Sequence, residues 1–319
     1  MIMNKFHPLT ITSIDRLTAD AVAISFDVNN NALFQFEAGQ YITIKQDING
    51  EEVRRAYSIC SMNAEGVTIG VKKVEAGRMS TFLTESAKKG DVLNVMPPSG
   101  NFVIKGDNKH IVGICAGSGV TPIIAMIKTE LAKPSSAKFT LIYGNKTEDS
   151  SMFADELQQL QINNSDRLKI HNAYSREGVA GAINGRLDKN TIQQLLNTFM
   201  SLKTADAYFI CGPGELIDNT NELLLLNNIN QKKINFERFT TVEKTDVTDN
   251  DSDEIISNVL VSVDGEDFEF TLSNKGQTIL DAAMEQGADV PFSCKGAVCC
   301  TCRAKVMEGS VTMDANYSL

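Results

Sequence analysis

The chain has 319 residues, of which 42% are hydrophobic and 22% charged, and a net charge of −10. That length calls for two or three domains, and the composition excludes disordered and collagen-like classes. The longest aliphatic run is the four leucines at 223–226, far short of the ~20 residues a membrane span needs. Residues 1–5 show no apolar segment or cleavage site, so no secretory signal is visible and a cytoplasmic location is expected. An acidic chain also argues against nucleic acid, whose backbone calls for clustered Lys and Arg.

Residues 6–105 read as short strands at 9–14, 21–26, 40–44, 67–71 and 92–95, separated by Asn, Gly and Asp turns. One helix, from about residue 79 to 87, interrupts them. Antiparallel strands with a single helix fit a small closed β-barrel. After Gly106 the pattern alternates: strand 111–116 precedes helix 121–133, 139–143 precedes 153–160, 168–174 precedes 190–199, and 208–211 precedes 215–227. This is an α/β unit with a parallel sheet, closed by a last strand at 233–239.

Charge marks the next boundary. Residues 1–239 carry 25 acidic and 25 basic side chains, whereas residues 240–319 carry 15 and 5. Residues 240–257 are poor in apolar side chains and hold Glu243, Asp246, Asp249, Asp251, Asp253 and Glu254, a solvated linker by composition. Beyond it, strands at 258–263 and 267–272 turn at Asp264-Gly265, followed by a helix at 278–286, a cysteine loop and a strand at 304–308. The expected division is a barrel domain at 1–105, an α/β domain at 106–239, the acidic linker, and an α+β domain at 258–319.

The cysteine loop is the strongest chemical signal. Cys60, Cys115 and Cys211 are isolated, but Cys294, Cys299, Cys300 and Cys302 fall within nine residues. The spacing Cys294-x4-Cys299-x2-Cys302, with Lys295, Gly296 and Ala297 in the first gap, is that of a plant-type 2Fe-2S site. A zinc knuckle would need a second pair of ligands, and no later Cys or His exists. The chain ends 17 residues after Cys302 without a fourth cysteine. Cys300, adjacent to Cys299, would project away from the same metal pair. Either the chain is truncated or it cannot hold a normal cluster; truncation is the favoured reading, because it stops where more of a ferredoxin sheet should follow.

Four further motifs sit at strand ends. In Arg55-Ala56-Tyr57-Ser58 the guanidinium can grip a diphosphate, the phenol can lie on a flavin ring and the hydroxyl can reach the ring's N5. Gly77-Arg78-Met79-Ser80-Thr81 opens a helix, where a phosphate can bind. The glycines of Ala116-Gly117-Ser118-Gly119-Val120-Thr121-Pro122 allow close approach of a diphosphate. Cys211-Gly212-Pro213-Gly214 follows the fourth strand of the α/β unit, at the edge where ligands bind. Glu237-Arg238-Phe239 ends its last strand. His7, His110 and His171 have no partners at ligand spacing and read as structural, and no hydrolase elbow or zinc-protease motif is present.

These motifs, with residues 55–60, 141–146, 209–212, 294–302 and 316–319, resemble the ferredoxin–NADP reductase superfamily over essentially the whole chain. Within it they resemble three-domain reductases carrying a C-terminal plant-type ferredoxin domain, here incomplete, which serve oxygenases. The resemblance implies FAD on Arg55, Tyr57, Ser58, Gly77, Met79, Ser80, Thr81 and Phe239, with Phe239 covering the ring until nicotinamide displaces it. It implies NADPH on Gly117, Gly119, Val120, Thr121, Cys211, Gly212 and Pro213, with Ser175 and Arg176 on the 2′-phosphate and Lys146 assisting. Hydride transfer is then expected beside Ser58, Cys211 and Glu237. Electrons would continue to a 2Fe-2S cluster on Cys294, Cys299 and Cys302, and on to diiron oxygenase subunits. Reductases of steroid or ring-hydroxylating oxygenases are the alternative, and a flavin-bound sensor without turnover is a third reading.

Overall fold

The computed structural model describes residues 5–28, 31–134, 136–239 and 254–317, so most of the expected acidic linker lies outside the described residues. Strands β1 (His7–Thr18), β2 (Ala21–Phe26), β3 (Tyr41–Ile48), β4 (Glu51–Ser58), β5 (Thr68–Lys72) and β6 (Val92–Ser99) form an antiparallel sheet. Its order is β4-β3-β6-β1-β2-β5. A bridge between Ile59 and Ile69 joins the two edges and closes the barrel. Ile11, Val22, Ile24, Ile42, Ile44, Val71 and Val95 fill it. The β3–β4 hairpin turns at Asn49 and Gly50, both at positive φ, which matches the right-handed twist of its strands. The expected helix at 79–87 is only one α turn, α1 (Arg78–Thr81), running into a π turn at Phe82–Ser86.

The second unit is a parallel sheet of β7 (His110–Ala116), β8 (Lys138–Asn145), β9 (Leu168–Tyr174), β10 (Ile183–Asn184), β11 (Ala207–Gly212) and β12 (Ile234–Arg238). Helices α2 (Val120–Ala132), α3 (Ala154–Asn163), α4 (Lys189–Thr198) and α5 (Gly214–Leu226) cover it. The order β10-β9-β8-β7-β11-β12 reverses at β7, so a crevice opens where β7 and β11 end, as in doubly wound sheets. Sequence periodicity missed β10, two residues too short to show any.

The third unit comprises β13 (Ile256–Val263), β14 (Glu266–Ser273) and α6 (Ile279–Glu285). The hairpin turns at Asp264 and Gly265, both at positive φ, as the sequence predicts. Thr278 caps α6: its hydroxyl accepts from the Asp281 N–H at 3.2 Å and donates to the Asp281 carboxylate at 2.8 Å. The expected strand at 304–308 does not form. Its backbone finds no ladder partner among the described residues, and an unpaired segment is not a strand.

Barrel and α/β unit share one core. Ala21, Ala23, Cys60 and Phe102 from the barrel side pack with Ile123, Met126, Ile127 and Phe153. A Cβ on Gly70 of β5 would lie 2.4 Å from Thr121 Cγ2 on α2, so only glycine permits this approach. Lys128 of α2 spans the same seam. Its side chain is 13% exposed and pairs with Glu65 of the barrel at 3.1 Å and Glu156 of α3 at 3.0 Å. Glu65 and Glu156 are 42% and 41% exposed and stay solvated without Lys128, so the loss is that of two screened ion pairs. Lys128→Met should therefore lower stability by about 0.5–1 kcal/mol, read as the midpoint of urea unfolding; an unchanged midpoint would show that the triad holds nothing.

Candidate functional site

The crevice at the β7 and β11 ends is built backbone against backbone. Gly117–Gly119 form a 3-10 turn with Gly117 at φ +56°. A Cβ on Gly119 would stand 2.1 Å from the Cys211 carbonyl oxygen, and one on Gly212 3.1 Å from the Ala116 nitrogen. The two glycine motifs, about 90 residues apart in sequence, therefore close on each other with no space for side chains. Val120 is wholly buried, and Thr121 Oγ1 donates to the Ser118 carbonyl at 2.9 Å, rounding the turn into α2. The buried Tyr143 hydroxyl lies 3.2 Å from the Gly117 carbonyl and fixes the turn from below. Pro213 is the N-cap residue of α5. The starts of α2 and α5 thus lie side by side at this edge of the sheet, where a diphosphate can bind.

The barrel meets this crevice through Ser58, whose Oγ donates to Glu237 Oε2 at 3.1 Å. Glu237 is paired in register with Cys211, which in turn is paired with Cys115. Burial pushes the Glu237 carboxyl up to about 8; the Ser58 hydrogen bond opposes this and the nearby Cys299 adds to it. Burial likewise keeps the Cys211 thiol protonated. Ser58, Cys211 and Glu237, which the resemblance placed together, are brought together.

Tyr57 lies next to Ser58 on β4 and is partly buried, while Arg55 is exposed and donates from Nη1 to the Arg54 carbonyl at 2.7 Å. α1 packs against β3 and β4. Ser80 binds its own loop: Oγ accepts from Val74 N–H at 3.1 Å and donates to the Gly77 carbonyl at 3.0 Å. A Cβ on Gly77 would sit 2.5 Å from that Oγ, and Met79 is buried beneath it. Thr81 N–H donates to the Gly77 carbonyl at 2.9 Å. Phe239 follows β12 and is 41% exposed.

Ser175 and Arg176 extend β9 past its end. Their N–H groups donate to the carbonyls of Asn145 at 3.0 Å and Lys146 at 2.9 Å, with all but Asn145 of these side chains exposed. Glu148 N–H donates to the Glu177 carboxylate beside them. Lys146 and Arg176 thus share this rim with the carboxylates of Glu148 and Glu177.

In the cysteine loop, Lys295 and Ala297 sit at φ 49° and 60°, so successive N–H groups turn inward as in an anion-binding nest. Gly296 N–H donates to Cys294 Sγ at 3.3 Å. A hydrogen bond from Cys299, together with loop N–H groups and against burial, brings the Cys294 thiol down to about 6; the same bond pushes Cys299 up. Burial pushes Cys302 up. Among the described residues no three Cys, His, Asp or Glu side chains converge on one point. Thiols with N–H groups aimed at sulfur are the donor chemistry of an iron–sulfur group, and Cys294, Cys299 and Cys302 supply three of the four ligands that a plant-type cluster takes. Cys300 Sγ lies 3.4 Å from the Tyr41 hydroxyl and 3.7 Å from the Ser99 hydroxyl.

Three contacts joining the cysteine unit to the other two carry no sequence signature. Tyr41 meets Cys300 and Thr301. The Arg54 guanidinium lies 4.1 Å over the Phe292 ring. Arg238, 8% exposed, pairs with Asp218 of α5 and lies 4.9 Å from the Tyr317 ring, while Tyr317 N–H donates to the Ala297 carbonyl at 3.1 Å.

Comparison with known proteins covers all three units. Residues 8–104 match the oxidoreductase FAD-binding domain, 114–222 the oxidoreductase NAD-binding domain, and 261–318 the 2Fe-2S iron-sulfur cluster binding domain. The chain is 38% identical to a 1,2-phenylacetyl-CoA epoxidase subunit of Escherichia coli K12, over 99% of this chain and 91% of that one. It is 30% identical to the ferredoxin reductase component of 3-ketosteroid-9-alpha-monooxygenase from Rhodococcus rhodochrous, over 96% and 87%. Among solved structures, phthalate dioxygenase reductase superposes with a TM-score of 0.65 at 24% identity, covering 93% of this chain and 85% of that one. No described helix is long and apolar enough to cross a membrane.

The raised Glu237 value has a consequence for stability. Between about pH 4.5 and 8 the unfolded chain has lost this proton while the folded chain keeps it, so the group's contribution falls as pH rises through that window. Glu237→Gln removes the dependence. Relative to wild type, the variant should gain about 1–3 kcal/mol of stability between pH 5 and pH 8, measured as denaturant midpoints; equal midpoint differences at both pH values would contradict a buried, protonated carboxyl.

Proposed function

Because the chain belongs to the ferredoxin–NADP reductase superfamily, in the branch that joins FAD-binding, NAD-binding and 2Fe-2S domains, we propose that it is the reductase component of a phenylacetyl-CoA epoxidase. It takes reducing equivalents from NADPH and delivers electrons to a diiron oxygenase in phenylacetate breakdown. The observation that supports this reading is the meeting of Ser58, Cys211 and Glu237 near Cys299, which brings residues of all three units together. The 38% identity to the epoxidase protein of Escherichia coli favours this oxygenase over the steroid one.

FAD accepts hydride as a pair of electrons and releases them singly, which is what a one-electron 2Fe-2S carrier requires. The residues divide the remaining work. Gly77, Met79, Ser80 and Thr81 shape a loop for the flavin diphosphate, with the free side of the Arg55 guanidinium as its cation and Tyr57 and Phe239 as ring neighbours. Gly117, Gly119, Val120, Thr121, Gly212 and Pro213 supply the crevice for the nucleotide diphosphate. Ser58 and Glu237 form a hydrogen-bonded pair able to hold or pass one proton, because the carboxyl titrates near neutral pH. Cys211 is a small buried wall that keeps water from the reacting atoms. Cys294, Cys299 and Cys302 would hold the cluster, and barrel, nucleotide and ferredoxin domains correspond to 1–105, 106–239 and 258–319.

Supplying the full-length, cluster-loaded reductase with NADPH and the epoxidase oxygenase subunits should yield epoxidation of phenylacetyl-CoA. Turnover only with a steroid or ring-hydroxylating oxygenase would move the assignment to that partner. Negligible NADPH oxidation with ferricyanide would instead favour a sensor.

The choice of NADPH rests on the rim of Ser175, Arg176 and Lys146. Arg176→Glu sets a carboxylate against the proposed 2′-phosphate, so KM for NADPH should rise while that for NADH stays nearly constant. A charge-assisted contact of about 1.5–3 kcal/mol corresponds to roughly 10- to 150-fold in affinity. Equal losses for the two nucleotides would remove the assignment.

A further inference from the structure

The barrel presents a row of three hydroxyl side chains across neighbouring strands. Tyr41 on β3 is paired with Ser58 on β4 and with Ser99 on β6, and residues paired in register share a face. Ser58 reaches the α/β unit through Glu237. Tyr41 and Ser99 reach the cysteine loop instead.

The Tyr41 hydroxyl makes three contacts there. It accepts from the Cys300 N–H at 3.2 Å, and lies 3.0 Å from Thr301 Oγ1 and 3.4 Å from Cys300 Sγ. A phenol has one donor and two acceptor positions, so its whole capacity is committed to two consecutive residues between Cys299 and Cys302. The ring is placed with equal economy. Tyr41 is 5% exposed, and a Cβ on Gly100, at φ +123°, would stand 3.1 Å from the ring. Gly100 therefore leaves room for the ring to lie flat, with its hydroxyl toward the loop.

We propose that Tyr41 is a positioning residue that clamps the cysteine loop onto the flavin barrel next to Ser58, setting the path by which single electrons leave the flavin for the cluster. The step makes and breaks no bond: each electron lost by the flavin is gained by the cluster. The inference rests on the reductase reading above. It adds that the alignment of the two redox sites is held by a neutral hydroxyl contacting the loop at Cys300 and Thr301. It also gives Cys300, which lies outside the ligand spacing, a contact of its own on the barrel.

Tyr41→Phe tests this because it keeps the ring and deletes the hydroxyl. In the full chain, amide hydrogen exchange at Cys300 and Thr301 should quicken by about tenfold, since the anchor on the loop is gone. Alkylation of Cys300 by iodoacetamide, located by fragment mass spectrometry, should rise with it. In stopped-flow mixing with NADPH, flavin reduction should keep its rate within about twofold, while the following transfer to the cluster slows by about tenfold, as small misplacements are costly. Thr301→Val leaves the barrel untouched and should reproduce part of the loss. Adding it to Tyr41→Phe should cost less than the two single effects combined, because both changes remove one shared contact.

Unchanged exchange and alkylation would overturn the proposal whether or not flavin is bound. Faster exchange with an unaltered second phase would overturn it too, leaving Tyr41 a structural contact only. Equal slowing of both phases would show general damage to the barrel and also count against it. Failure of the reductase reading looks different: wild-type chain would then show no flavin reduction at all.

Discussion

The hydrogen bond from Ser58 to Glu237 ties together two sheets that fold around different strand geometries, one antiparallel and closed, the other parallel and open. Its partners lie at strand ends, so the bond exists only if two registers are right. In the barrel, Ser58 must oppose Tyr41; in the parallel sheet, Glu237 must flank Cys211. A slip of one residue in either pair turns the side chain to the opposite face. The tight turn at Asn49 and Gly50 and the alternating Ile42 and Ile44 set the first register. The second is set by β11, the one neighbour of β12, whose Tyr208, Phe209, Ile210 and Cys211 are all buried.

The three units are joined in two physically different ways. Barrel and α/β unit share a continuous apolar core, with Lys128 as a charged strut, and behave as one body for packing purposes. The cysteine unit meets them through hydroxyls and through cations stacked on rings: Tyr41 on the loop, Arg54 on Phe292, Arg238 on Tyr317. Polar interfaces of this kind separate more readily than apolar ones. Hydride transfer, which demands close and constant geometry, is assigned to the welded pair. Delivery of single electrons, which must end on another protein, is assigned to the unit held by polar contacts.

Much of this was readable in the chain because its signals are local. Glycine loops at strand ends, four alternating strand–helix pairs and three cysteines at fixed spacing each fall within a short window of sequence. The Asp264-Gly265 hairpin and the helix capped by Thr278 were legible for the same reason. What escaped depends on distance in sequence. Lys128 lies on a largely apolar helix, and nothing near it announces Glu65 or Glu156. Tyr41 reads as one more barrel aromatic until the loop 259 residues away comes to rest on it. The Arg238–Tyr317 pair is equally silent. The expected strand at 304–308 has no neighbour among the described residues, since a run of side chains cannot supply a hydrogen-bonding partner.

Tyr317 is bonded through its backbone to Ala297 in the cysteine loop and lies through its ring on Arg238 of the nucleotide-binding unit. The loop is thus gripped from a second side, independent of Tyr41. Neighbours carried on one chain meet at an effective concentration fixed by their tether and not by the amount of protein present. Electron sharing within the molecule is therefore indifferent to dilution, whereas hand-over to a separate acceptor is a second-order encounter. In a scarce or crowded setting the outward step limits the flow first.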